Sequence, residues 1–221
     1  MNCNIQTALQ YVNIDCTAMA HEKTSKRRYQ LKKRADTMVE TRQRIAAAAA
    51  ELHGTVGPAR TTLSAVADRA GVQRHTVYRH FPTEADLFGA CSAHFFAEHP
   101  LPDIGPWRKI SDPRQRLEQV LDDLYAYYES TERMFRNVVR DAELIEDLRP
   151  TLVPMQEYLD EVAEILATGW AARGRRRHLL LAATRHAVDF QAWRSLTQED
   201  RITRADAIQL VTGFVVSAFS T

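Results

Sequence analysis

Thr62-Leu63-Ser64-Ala65-Val66-Ala67-Asp68-Arg69-Ala70-Gly71-Val72-Gln73-Arg74-His75-Thr76-Val77-Tyr78-Arg79-His80-Phe81 is the stretch on which the fold turns. Thr61 and Thr62 supply hydroxyls that can cap a short helix over residues 62–69, and Gly71 suits the left-handed residue that stops it. A second short helix, residues 73–79, follows within about three residues and ends at Phe81-Pro82. Val66, Ala67 and Ala70 can face Val72, Val77 and Phe81, and the small alanines let the two helices cross closely. Two short helices joined by a tight glycine turn are helix-turn-helix geometry. The opposite face of the second helix shows Gln73, Arg74, His75, Thr76, Tyr78 and Arg79, which offer donors for base edges and phosphates and no acidic group.

Outward from this motif the chain reads as helix throughout. Thr37 with Glu40 forms a capping box ahead of Ile45, Ala49 and Leu52, which predicts a helix over residues 38–53 ended by Gly54, Gly57 and Pro58. Residues 1–36 show no helical period and close on Lys26, Arg27, Arg28, Lys32, Lys33 and Arg34, so they read as a disordered basic arm. Thr83-Glu84-Ala85-Asp86 opens a helix to residue 99, Pro100, Pro102, Gly105 and Pro106 break it, and Asp112-Pro113 opens the next. Later helices are expected over residues 113–130, 131–144, 152–172, 176–196 and 203–219, with Pro154 in a first turn where its missing N–H costs little. No segment has strand period. The fold class is therefore all-α: an arm (1–36), a three-helix helix-turn-helix domain (37–83) and a larger helical domain (84–221).

Charge is divided along the chain. Residues 1–80 carry thirteen Lys/Arg against six Asp/Glu, and residues 81–221 carry sixteen against twenty-two, so a polyanion would be met by the first third. Cys3, Cys16 and Cys91 form no CxxC pair, and no segment approaches the roughly 18 apolar residues of a membrane span. These features suggest a soluble protein of a reducing cytoplasm.

From about residue 38 to residue 99 the sequence resembles the tetracycline-repressor family of bacterial regulators, on Ala70-Gly71-Val72 and Thr76-Val77-Tyr78-Arg79-His80-Phe81 followed by the capped helix. The resemblance implies a sequence-specific DNA-binding regulator, a repressor released by a small hydrophobic effector, in which Thr62, Tyr78 and His80 meet backbone phosphates and residues 73–76 face the bases of a double-stranded operator. Gln73 stands where the family often has a serine cap, and Glu84 stands where many relatives place a lysine. Glu84 favours its helix dipole but repels DNA, and it is the best clue to the alternative, a helical small-molecule binding protein with a degenerate DNA-binding domain.

A single recognition helix covers few base pairs, so two are expected in a homodimer. Leu179, Ala183, His186, Phe190 and Trp193 form one apolar stripe, and Ile208, Val211, Phe214, Val215, Ala218 and Phe219 form another. The resemblance makes these the dimerising helices, with His186, Phe190, Trp193, Val211, Phe214 and Ala218 at the interface. It likewise assigns an effector pocket to the central helices, where Tyr125, Tyr128, Phe135, Met155, Tyr158 and Trp170 are candidates. Effector binding is expected to shift the helix of residues 84–99 and so the separation of the recognition helices. Cys91-x-x-His94 lacks further ligands of metal spacing, and His186-x-x-Asp189 and the carboxylate-rich 141–147 segment have no nucleophile motif, phosphate loop or cofactor fingerprint beside them. No enzyme, metal or cofactor is expected.

Overall fold

In the computed structural model residues 15–220 are described, with side chains over residues 29–218. Every regular element among the described residues is helical. The helices are α1 (Asp15–Thr55), α2 (Leu63–Ala70), α3 (Arg74–His80), α4 (Glu84–Glu98), α5 (Ile104–Arg108), α6 (Pro113–Ala142), α7 (Val153–Leu166), α8 (Arg175–Ala187), α9 (Phe190–Arg194) and α10 (Arg204–Ser220). Packing divides the chain into residues 1–45 and residues 46–221.

The first unit corrects one expectation. Residues 15–36 are helical and continue α1, whereas residues 1–14 of the expected arm lie outside the described residues. No Gly or Pro precedes Gly54, and Lys, Arg, Gln, Glu and Ala are strong helix formers. From Tyr29 to Arg44 the side chains are exposed, apart from half-buried Thr41, so this part of the helix needs no apolar period. Thr37 sits inside α1, where its hydroxyl donates to the Lys33 carbonyl at 2.9 Å instead of capping a start.

In the second unit the core gathers on α6, which buries Leu117, Val120, Leu121, Leu124, Tyr125 and Tyr128 along one face. The expected break at residues 130–131 is absent, because the Thr131 hydroxyl donates back to the Tyr127 carbonyl at 2.7 Å and the apolar face runs on to Phe135. Asp112 accepts from the Arg114 and Gln115 amides with Pro113 in the first turn, as the sequence predicts. The Pro-rich break instead contains α5, capped by Asp103, which buries Trp107 and lets its indole donate to Asp123 at 2.7 Å.

Two long helices of the sequence reading are shorter. The helix expected over 152–172 ends at Leu166, where the Trp170 indole donates to the Leu166 carbonyl at 2.8 Å and Gly169 takes a φ of 82°. The helix expected over 176–196 stops at Ala187, and Asp189 caps α9 by accepting from the Gln191 and Ala192 amides. The carbonyls freed at this break are met from α6. The Tyr125 hydroxyl donates to Ala187 at 2.9 Å and the Tyr128 hydroxyl to Val188 at 2.7 Å. A buried interruption of a helix is tolerable only when such partners exist.

Candidate nucleic-acid interface

The recognition unit is built by local rules. Thr62 caps α2 by accepting from the Ala65 amide at 3.1 Å. Gly71 ends that helix in the left-handed region with φ 64°, and the next amide, that of Val72, closes on the Ala67 carbonyl at 3.0 Å. Val66, Ala67 and Ala70 of α2 are buried, as are Val77 and Phe81 beside them in sequence. That burial turns the other side of α3 outward. Gln73, Arg74, His75, Tyr78 and Arg79 are exposed and Thr76 is half-buried. Thr62 is exposed at the start of α2.

Arg74 and Tyr78 form a pair on this face. The guanidinium donates to the phenol oxygen at 3.0 Å and stands 5.5 Å from the ring centroid, one turn away. Such a pair holds a planar cation and a hydroxyl at fixed spacing, as bidentate base recognition and phosphate contact require. Gln73 holds the cap position of α3 without a side-chain cap bond. His80, assigned to a phosphate by resemblance, is instead 8% exposed, because it falls three residues after Val77 on the inward side. Thr83 and Asp86 make the reciprocal capping box that the sequence predicts for α4, and Glu84 is exposed beside it.

A second group of residues holds this unit from α6. The Asn137 side-chain amide donates to the His53 carbonyl at 3.0 Å and the Gly54 carbonyl at 3.2 Å, at the end of α1. Asp141, 1% exposed, accepts from the Ala59 amide at 2.9 Å and from the Arg140 guanidinium at 2.6 Å. Gly57 lies in this clamp with φ 94°, and a Cβ there would come within 2.7 Å of the Asp141 carboxylate. Nothing in the sequence marks Asn137 or Asp141 for this clamp, because the backbone groups they hold are more than 80 residues away.

Next to the clamp is a small apolar cavity, about 50 Å³, walled by the end of α1, α4, α6 and the stretch of residues 148–155. Phe135 and Met155 line it together with Phe88, Phe95 and Phe96 of α4, which the sequence did not single out. The other pocket candidates pack elsewhere. Tyr125 and Tyr128 are fully buried on the α8 carbonyls, Trp170 closes α7, and the Tyr158 hydroxyl donates to the Pro102 carbonyl at 2.9 Å. Within the cavity wall His53 Nδ1 lies 3.2 Å from the Cys91 sulfur. Burial pulls the His53 imidazole down to about 4, against the opposing pull of Asp141, and pushes the Cys91 thiol up to about 12. Among the described residues no three His, Cys, Asp or Glu side chains gather as a metal site would need.

The dimer candidates divide in the same way. His186 and Phe214 are exposed, with ring centroids 5.9 Å apart edge to face, and Ala218 is half-buried. Val211, at 7% exposure, lines the same shallow groove as Leu210, an exposed leucine absent from the expected stripe. Phe190 and Trp193 lie instead in the core, 5% and 0% exposed, with Tyr128 5.4 Å and 5.5 Å from their rings. Once α9 is broken from α8, its aromatics turn inward.

Residues 45–91 match the family profile described as bacterial regulatory proteins, tetR family. The chain carries the tetR-family regulatory domain. A chain built on that domain is a DNA-binding transcriptional regulator, and the tetR-type motif coincides with the capped α2–α3 unit described above. Solved structures agree on the fold over most of the chain. A protein of Mesorhizobium loti assigned to the TetR family of transcriptional regulators superposes with a TM-score of 0.59 at 15% identity, covering 83% of this chain and 96% of its own. A TetR transcription regulator from Haloarcula marismortui gives 0.57 at 17% identity, covering 81% and 98%. At such identities these likenesses carry the fold alone. No curated protein matches the chain. No described helix is long and apolar enough to cross a membrane.

Proposed function

We propose that the protein is a homodimeric repressor of the nucleoid that binds a double-stranded operator through α3 and is released by a small hydrophobic effector. The observation that carries this reading is the outward face of α3, where Arg74 and Tyr78 are paired beside exposed Gln73, His75 and Arg79 with no carboxylate among them. Residues 37–83 read DNA and residues 84–221 dimerise and receive the effector. Thr62, Tyr78 and Arg79 meet phosphates. Gln73, Arg74, His75 and Thr76 face bases, and His80 supports the end of α3 from within.

Two recognition helices about 34–36 Å apart fit successive major grooves. The exposed leucine, phenylalanine and histidine on α8 and α10 support a two-fold interface there. The clamp of Asn137 and Asp141 ties the motif to α6, which also walls the cavity, so an effector that opens the cavity changes where the motif is held.

Footprinting on the DNA upstream of the protein's own gene tests the reading. A protected, sequence-preferring site spanning two half-sites one helical turn apart is expected, with affinity falling steeply as salt rises. Binding indifferent to sequence, or none at low salt, would leave only the small-molecule binding protein that exposed Glu84 suggests.

A further inference from the structure

The cavity beside the clamp has a chemistry that selects among ligands. Its aromatic wall is completed by flexible Met134 and Met155, and no Asp, Glu, Lys or Arg side chain lines it. The polar groups that do line it are already engaged or neutral. His53 Nδ1 and the Cys91 sulfur meet each other at 3.2 Å, and the Thr151 hydroxyl donates to the Leu148 carbonyl at 2.7 Å. Half-buried Ser92 adds one hydroxyl. Asp141, the carboxylate whose field reaches His53, is held by the Ala59 amide and the Arg140 guanidinium.

A carboxylate or ammonium entering such a space would lose its water and find no counter-charge, which is far costlier than burying an apolar surface of the same shape. An uncharged aromatic ligand would instead gain from the apolar area it hides, at about 25 cal/mol per Å². We propose that this cavity binds an uncharged, largely apolar molecule of one or two rings, with room for one hydroxyl, and rejects carboxylate and ammonium analogues of the same shape. The proposal rests on the effector reading above and narrows it to a ligand class.

Size adds a second constraint. The open space of about 50 Å³ falls well short of the roughly 150 Å³ cavity that admits benzene. A ligand must therefore part the wall. The end of α1 is pinned by Asn137, so the yielding parts are the two methionines and the aromatic side chains of α4.

The test is a charge series of one shape. 1-Naphthol, 1-naphthoate and 1-naphthylmethylammonium are titrated into the full-length protein at pH 7, by calorimetry and by thermal shift. Naphthol is expected to bind and raise the melting temperature, with each charged analogue at least about 100-fold weaker. Thr151→Lys, at a half-buried rim position, should give naphthoate measurable affinity and weaken naphthol. Ser92→Lys serves the same purpose if the first variant does not fold. Naphthoate binding to the unmodified protein as tightly as naphthol overturns the proposal, and so does failure of all three to bind. Should naphthol bind with the expected selectivity yet leave a labelled operator duplex in place, the ligand class stands and the effector reading fails.

Discussion

The α2–α3 unit and the α8–α10 region are both helical, but they are held by different physics. In α2–α3 the boundaries are set within a few residues, by the Thr62 cap, the left-handed Gly71 and the Thr83–Asp86 box. In α8–α10 the decisive contacts come from far along the chain, where hydroxyls of Tyr125 and Tyr128 take the carbonyls of Ala187 and Val188 about 60 residues away. The first region turns its polar side chains outward. The second turns Phe190 and Trp193 inward, and its stability depends on them.

The largest expected effect exposes that contrast directly. Trp193→Ala empties a fully buried site and should cost about 3–5 kcal/mol in urea unfolding, whereas Tyr78→Ala, at an exposed position, should stay within about 0.5 kcal/mol. Equal losses would mean that the recognition face is part of the core.

Acid should strike at the clamp next. His53 titrates near 6.5 when unfolded and about 4 when folded, so below 6.5 the unfolded chain binds a proton that the folded chain refuses. Its contribution is therefore complete above pH 6.5 and lost progressively as pH falls toward 4, by about 3 kcal/mol in all. Unfolding free energies measured across that range should fall with the wild-type His53 and fall less steeply in His53→Asn.

Arg74→Ala should weaken binding to the preferred site by about 1–3 kcal/mol relative to random duplex while leaving the melting temperature in place. A gel-shift with both duplexes and a thermal melt would settle it, and a uniform loss on both duplexes would reassign Arg74 from bases to phosphates. Smallest, Thr62→Ala should cost about 1 kcal/mol of stability, and a far larger loss by calorimetry would show that Thr62 does more than cap α2.

The same contrast explains what the sequence could tell. Glycine, proline and capping hydroxyls act over three or four residues, so α2, α3, the start of α4 and the start of α6 were legible. Thr37 and Thr131 misled because a hydroxyl that could cap can also bond backward inside a helix. The expected arm misled because an exposed charged helix, as residues 29–36 are, has no apolar stripe to betray it. His80 faces inward because it falls three residues after Val77 on α3, and Phe190 and Trp193 do so because the break after α8, held by distant Tyr125 and Tyr128, turns α9. Phe88, Phe95 and Phe96 were readable as apolar, but only the packed structure brings them to one cavity with Phe135 and Met155.

The tight fit of Gly57 against Asp141 bears on how such proteins could be recombined. A chimera that grafts residues 37–83 onto the helical body of a relative would carry the Gly57 turn away from the carboxylate that receives Ala59. It would also strip the His53 and Gly54 carbonyls of Asn137. Transplanting residues 137–141 along with the head should preserve the joint, and the recombination boundary that respects this protein is therefore discontinuous in sequence.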